Sequence, residues 1–329
     1  MKKKKINVAL IGSNFGINGY LPVLKKIKKI KLLIICSKNI EAKSSFLQLD
    51  NKIKLENDWK KVFTKEIDLI ILTVPPLIQE KILKYNLKHK KKIIFEKPIT
   101  NNLSKSRKIA KILKEKKIKS EINLTYLNHP LFNFVKKFIQ NKKLGKVIKY
   151  KIKWNFIGYD FNKRIKSWKT DEKQGGGIKN IFLTHVFSYC EYFFGPNKLK
   201  NFKISIKKFK NLNYKNKISC ELENSNSIFG NIEIFTKKKG FQNHEIKIEF
   251  VNGYIELFTH SKDWTKNFQL NIYDKKTKRI KRIKAPKYIK FKDGRSNQIY
   301  IMFSKFLKNP NYSNIDYCLN AEELNNKIN

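Results

Sequence analysis

Two short stretches carry residue types that could do more than pack. Glu96-Lys97-Pro98 closes the apolar run Lys92-Ile93-Ile94-Phe95, and His185 stands eight residues after Gly177, among Phe182, Val186, Phe187 and Tyr189. A lysine withdrawn from water into a cleft loses proton affinity and can exchange protons near neutral pH. An imidazole already titrates there. Each has a plainer reading: Lys97 as one more solvated lysine, His185 as a satisfied core histidine. Position argues for chemistry. Lys97 lies at a strand end, between an acid and a proline that pins the backbone, and Gly175-Gly176-Gly177 lets a loop or ligand come close ahead of His185. The other histidines have less context. His89 falls in a lysine run, His129 precedes Pro130, and His244 and His260 sit on or after strands with a wet face. They make no metal ligand set, and no metal is expected.

A third stretch is a phosphate-type turn. Ile6-Asn7-Val8-Ala9-Leu10-Ile11 suits a strand buried on both faces, and Leu21, Leu24 and Ile27 carry a helical stripe. Between them lies Gly12-Ser13-Asn14-Phe15-Gly16-Ile17. A glycine turn between a first strand and a first helix brings backbone N–H groups and the positive helix end to a pyrophosphate. Glycine is usual at the third and sixth places of that fingerprint, where this chain has Asn14 and Ile17. Asn tolerates left-handed dihedrals, and Gly16 sits one place early, so the turn survives. The plainer reading is an ordinary tight βα turn.

The elements that must position these groups fall into two kinds. Up to about residue 120, buried strands alternate with helices. The strands are Ile6–Ile11, Lys31–Cys36, Asp68–Val74, Lys92–Phe95 and Glu121–Tyr126; the helices lie at Glu41–Gln48, Gln79–His89 and Leu103–Lys117, the last with Ser104 as its cap. That order predicts a parallel, doubly wound Rossmann-type sheet. The pattern then changes. Val147–Phe156 alternates strictly, with Ile148, Tyr150, Ile152, Trp154 and Phe156 on one face and lysines and Asn155 on the other. Alternation recurs at Phe202–Ile206, Ile228–Phe235, Ile246–Phe250, Tyr254–Phe258 and Phe268–Tyr273, which predicts an α+β domain with a largely antiparallel open sheet. Helix is expected at Ile178–Phe194, Ser296–Leu307 and Asn320–Ile328. The expected domains are 1–124 and 125–329, with the C-terminal helices able to pack back.

Composition excludes several classes. At 329 residues with 41% hydrophobic content the chain can build two cores. A net charge of +47 suggests nucleic acid or an anionic membrane, but only five arginines stand against 68 lysines, and the lysines are spread along the chain. Lys, Asn and Ile are enriched together, as an A/T-rich genome would produce. No specific nucleic-acid partner is expected. Cys36, Cys190, Cys220 and Cys318 lie far apart, which fits a reducing compartment. No apolar run approaches the roughly 18 residues of a membrane span. The opening lysines precede a strand with no cleavage site after it. A soluble, cytoplasmic protein is expected.

Taken together, Ile11 to Gly16 with Leu21-Pro22, Thr73-Val74-Pro75-Pro76, Glu96-Lys97-Pro98, and Gly175-Gly176-Gly177 with His185 resemble the glucose–fructose oxidoreductase, inositol 2-dehydrogenase and rhizopine-catabolism (Gfo/Idh/MocA) family. The resemblance implies an NAD(P)-dependent oxidoreductase acting on a sugar, sugar nucleotide or polyol, built as a nucleotide domain and a sheet domain, in a homodimer or homotetramer. It implies cofactor contacts from Gly12, Ser13, Asn14, Phe15, Thr73, Pro75, Glu96 and Lys97. It makes Lys97 the group on cofactor and substrate and His185 the acid/base. At the end of the second strand Ser37-Lys38 replaces the acid that holds ribose hydroxyls in NAD enzymes, and a cation there favours NADP over NAD. Tyr126, Asn128, Trp168, Lys169 and Asn180 are placed on the substrate side by position. The family commonly has Asp four residues before the histidine; here it is Ile181, and Asn180 is rotated by about 140° in a regular helix. That departure sustains a rival, a non-catalytic nucleotide- or sugar-binding protein. The charge sustains a weaker one, a nucleic-acid binder.

Overall fold

A computed structural model describes residues 5–38, 40, 52–163, 165–209, 212–236, 240–286, 289–309 and 311–328. The helix expected at Glu41–Gln48 lies outside them. The described α-helices are α1 (Leu21–Lys26), α2 (Pro76–His89), α3 (Leu103–Glu115), α4 (Pro130–Gln140), α5 (Tyr159–Lys163), α6 (Thr184–Phe194), α7 (Arg295–Lys308) and α8 (Ile315–Asn326). Two compact units divide the chain. The first runs to Leu124 and takes in Lys290–Leu319; the second runs over Thr125–Ile289 and takes in Asn320 onward.

In the first unit six strands pair in parallel: β1 (Ile6–Ile11), β2 (Ile30–Cys36), β3 (Lys54–Glu56), β4 (Leu69–Leu72), β5 (Lys92–Phe95) and β6 (Ser120–Ile122), in the order β3-β2-β1-β4-β5-β6. Every residue of β4 is buried, as a strand covered on both faces requires. β1 pairs with β2 on one side and β4 on the other, so the strand order reverses there. Ligands bind outside the carboxyl ends of strands at such a reversal. Helix α7 closes the core: Ile299, Met302, Phe303 and Phe306 join Val8, Leu10, Leu69, Ile71 and Tyr20 in one apolar cluster.

Local expectations needed four corrections here. The β4 strand stops at Leu72 rather than Val74, because Thr73 turns to bond the β1 loop. Helix α2 starts at Pro76, not Gln79; proline is at home in a helix's first turn, where its missing N–H has no helical partner to lose. The cap of α3 is Asn102, whose side chain accepts the Lys105 N–H at 3.1 Å, rather than Ser104. Only Ser120–Ile122 pairs as β6, and Thr125–Asn128 coils into a 3₁₀ turn instead of extending the strand.

The second unit is an eight-stranded sheet in the order β14-β13-β12-β11-β7-β10-β9-β8. Its strands are β7 (Val147–Phe156), β8 (Asn197–Phe209), β9 (Leu212–Asn224), β10 (Phe229–Thr236), β11 (Asn243–Phe250), β12 (Gly253–Thr259), β13 (Gln269–Asp274) and β14 (Arg279–Ile283). Neighbours are antiparallel except β7 and β10. Strands β3, β9 and β14 are additional to the sequence reading. Tyr150, Ile152, Trp154 and Phe156 are buried, but Ile148, at the start of the same face, is 48% exposed. On the other face Lys153 lies in register between Glu233 and Glu245, and Lys149 pairs with Glu249 at 3.4 Å. Helix α6 is buried almost throughout. His244 also belongs to the buried face, not a wet one: it stacks on Trp154 at 4.3 Å, its Nε2 is 2.9 Å from the Tyr189 hydroxyl, and burial holds its pKa down at about 3.

Candidate active site

The first unit gathers the glycine turn, Thr73, Pro75 and Glu96-Lys97 around the carboxyl ends of β1, β4 and β5. Gly12 takes φ +113°, and a Cβ there would run into Thr73. Its N–H donates to the Cys36 carbonyl at 2.8 Å. Thr73 donates its hydroxyl to the Ile11 and Gly12 carbonyls at 3.1 and 3.3 Å, locking β1 and β4 together beneath the turn. Gly16 does the close packing: a Cβ there would lie 2.7 Å from Thr73 Oγ1. The displaced glycine is accommodated by a π turn over Gly16–Tyr20, which holds one residue more than an α turn.

Ser13 and Ser37 meet, hydroxyl to hydroxyl, at 2.9 Å, joining the turn to the end of β2. Lys38 beside them is exposed, as is Asn14. Pro75 caps α2. The crevice edge therefore presents, among the described residues, turn amides, the two hydroxyls of Ser13 and Ser37 and the exposed Lys38. These residues fit a dinucleotide.

Glu96 is held by groups that the sequence reading missed. Its Oε1 accepts from the Tyr20 hydroxyl at 2.7 Å and from Asn123 Nδ2 at 2.8 Å. Burial raises its pKa; those bonds and the charges of Lys97 and Arg295 oppose the rise. Burial pulls Lys97 down to about 8, against the opposing pull of Glu96. Arg295, at the start of α7, lays its guanidinium 4.0 Å over the Phe15 ring and forks onto Asp293, with its closest bond at 2.6 Å. Ser296 donates to the Gly19 carbonyl at 2.8 Å. A segment about 280 residues away thus buttresses the turn, and nothing local in sequence signals it.

In the second unit His185 is part-buried near the start of α6, its ring edge-on to Tyr126 at 5.4 Å. Tyr126 is buried; its ring also meets Trp154, Tyr189 and His244, and its hydroxyl donates to the Trp264 carbonyl at 3.3 Å. Asn128 is fully buried. Trp168 and Lys169 form a short 3₁₀ turn packed so closely on Gly176 that a Cβ there would strike their backbone, and Lys169 pairs with Asp160 at 3.6 Å. Asn180 donates to the Gly176 carbonyl at 2.9 Å.

The expected rotation of Asn180 away from His185 presumed a regular helix. Lys179–Leu183 is a π turn instead, with the Thr184 N–H bonded to the Lys179 carbonyl five residues back. The angle of a regular helix therefore does not describe the pair Asn180 and His185. Of the two expected catalytic groups, Lys97 belongs to the first unit and His185 to the second.

Among the described residues no group of His, Cys, Asp and Glu could hold a metal, and no helix is long and apolar enough to cross a membrane.

Comparison with known proteins bears on this arrangement. Residues 6–123 match the model of an oxidoreductase family's NAD-binding Rossmann fold, and residues 136–318 match the same family's C-terminal alpha/beta domain. An uncharacterized oxidoreductase of Schizosaccharomyces pombe is 24% identical over 129 residues, which is 39% of this chain; the match spans 34% of that protein's length. Among solved structures, a levoglucosan dehydrogenase in complex with NADH and levoglucosan superposes with a TM-score of 0.81 at 14% identity, covering 99% of this chain and 96% of that one. A 3-ketoreductase from Actinomadura kijaniata, in complex with TDP-benzene and NADP, gives 0.79 at 12% identity, covering 99% and 97%. An NAD binding oxidoreductase from Klebsiella pneumoniae gives 0.79 at 13%, covering 98% and 95%. Both domain matches are in family order and together take in most of the sequence, so the chain belongs to the Gfo/Idh/MocA oxidoreductase family.

Proposed function

We propose that the chain is an NAD(P)-dependent oxidoreductase moving a hydride between nicotinamide and a carbohydrate-type alcohol or ketone. The observation that carries this reading is Lys97: an ammonium at the carboxyl edge of a dinucleotide sheet, next to the part-buried acid Glu96 and brought to a pKa of about 8. A cation so placed polarises a substrate oxygen and can give up or take a proton near neutral pH. Bound cofactor supplies the hydride acceptor or donor at its nicotinamide ring. His185 moves the proton to or from the substrate oxygen, and the Tyr126 ring against it restricts its orientation. Asn180, Trp168 and Lys169 frame the approach ahead of that helix. Tyr126 and Asn128 support this reading as packing under the site rather than as open contacts.

Lys38, exposed at the end of β2 beside Ser37, supports NADP over NAD. The family reading also carries a homodimer or homotetramer, which sedimentation checks, in the cytoplasm. Titrating the protein with NADPH and NADH, then following nicotinamide absorbance over a panel of sugars, sugar nucleotides and polyols, tests the proposal. A chain that binds neither nucleotide overturns it. Ile181, in the place of the usual Asp, favours the second reading, a binding protein of the same fold; it predicts nucleotide binding with no turnover on any of the panel.

A further inference from the structure

We propose that Gln79 is a positioning residue for Lys97, fixing the backbone from which the ammonium projects. Gln79 lies on α2, 1% exposed, directly under the loop that follows β5. Its Nε2 donates to the carbonyls of Glu96 at 2.6 Å, Pro98 at 2.9 Å and Ile99 at 3.1 Å. Its Oε1 accepts the Glu96 N–H at 3.1 Å. One side chain thus holds the backbone on both sides of Lys97, with its NH₂ group and its oxygen both engaged there.

The chemistry of the site explains why the brace is a primary amide. Three carbonyls and one N–H converge on a buried point. A primary amide answers them together, one of its two N–H bonds being shared between two carbonyls and its oxygen taking the N–H. A carboxylate would accept from Glu96 but would face three carbonyl oxygens with no proton to give. A thioether would leave all four groups unmet in a place where water does not reach. The acid end of the same loop is fixed separately, by Tyr20 and Asn123 on Glu96. Gln79 therefore governs the main chain, and the other two govern the neighbouring side chain. Neither arrangement is visible from residue spacing, since Gln79 precedes the loop by seventeen positions.

This inference rests on the role proposed above for Lys97, but its test does not. Trace acetylation of the full-length protein over a pH series, read peptide by peptide in the mass spectrometer, gives the titration midpoint of Lys97 apart from the other lysines. Lys119 serves as the control in the same unit. Q79M and Q79L are expected to raise the Lys97 midpoint by about one pH unit or more toward that of an ordinary lysine, as the loop lifts and water enters. Lys119 stays where it was. A displacement of about 1 Å in a group that orients substrate costs on the order of 100-fold in turnover, and Q79H, which keeps a donor and an acceptor, recovers part of it.

Should Q79M fail to fold, Q79L and Q79H decide. A Lys97 midpoint unmoved in a folded Q79M or Q79L chain overturns the proposal, whatever happens to thermal stability. If that midpoint is unmoved while wild-type protein binds and turns over nucleotide, Gln79 alone is wrong. If wild-type protein binds no nucleotide, the dinucleotide reading fails and the midpoints still judge Gln79.

Discussion

Replacing Glu121 by Gln should remove a large pH dependence from the stability of the first unit. Glu121 lies on β6 with no exposure, and both its carboxylate oxygens accept from Asn314, at 3.0 Å from the main-chain N–H and 2.8 Å from Nδ2. Burial nevertheless lifts its pKa to about 8, the Asn314 bonds and the Lys305 charge opposing. Unfolded, a glutamate titrates near 4.3. Between these two values the folded chain holds a proton that the unfolded chain has lost. The unfolded state binds fewer protons there, so unfolding free energy falls as pH rises. At about 1.4 kcal/mol per pH unit, three units from pH 5 to pH 8 amount to roughly 4 kcal/mol, and the group is too deeply buried for solvent to screen that down appreciably. Glutamine carries no titrating proton, so E121Q gains on wild type by about that much across the same interval. Urea unfolding of both proteins at pH 5, 6, 7 and 8, followed by circular dichroism, measures the difference. Parallel stability curves would show that Glu121 stays ionised throughout in the fold, and the burial argument would be refuted.

Other outcomes follow from the same geometry. Gly16→Ala forces a Cβ to 2.7 Å from Thr73 Oγ1 and should cost about 1–3 kcal/mol; Thr73→Ala in the same chain should return part of it, a coupling that thermal melts of the double-mutant cycle detect. Tyr189→Phe leaves the buried His244 without its 2.9 Å partner, and should lower stability by about 1–3 kcal/mol in a denaturant titration. Under the enzyme reading, His185→Ala should reduce turnover by about 10²–10⁴-fold with nucleotide affinity little changed, whereas a binding protein would lose nothing in the same comparison. Because burial lowers Lys97 to about 8, its cation is present below that pH and lost above it. Turnover at saturating nucleotide should therefore decline as pH rises through about 8, and a profile rising there would contradict the role given to the ammonium.

The elements of this protein were readable wherever a period repeats. Lys92–Phe95 and Val147–Phe156 emerge as strands with the bounds read from apolar runs and strict alternation, because burial on one or two faces writes itself into consecutive side chains. The change from continuous to alternating patterns announced a parallel sheet followed by an antiparallel one. Ends were less readable: Pro76 opening α2 and Asn102 capping α3 turn on a single hydrogen-bonding group each, and no repeat reports them.

Of the site, sequence order by itself placed a glycine turn, a lysine at a strand end and a histidine behind three glycines. Folding decided what holds them. Tyr20, Gln79 and Asn123 close on Glu96 and its loop from three separate segments, Arg295 reaches Phe15 from the far end of the chain, and Gly16 and Asn180 lie in π turns rather than regular helix. The physical reason is range. Backbone preference and amphipathic period act over a few residues and leave a local trace, while a buried amide or carboxyl is satisfied by whichever distant group the packing delivers, and leaves none.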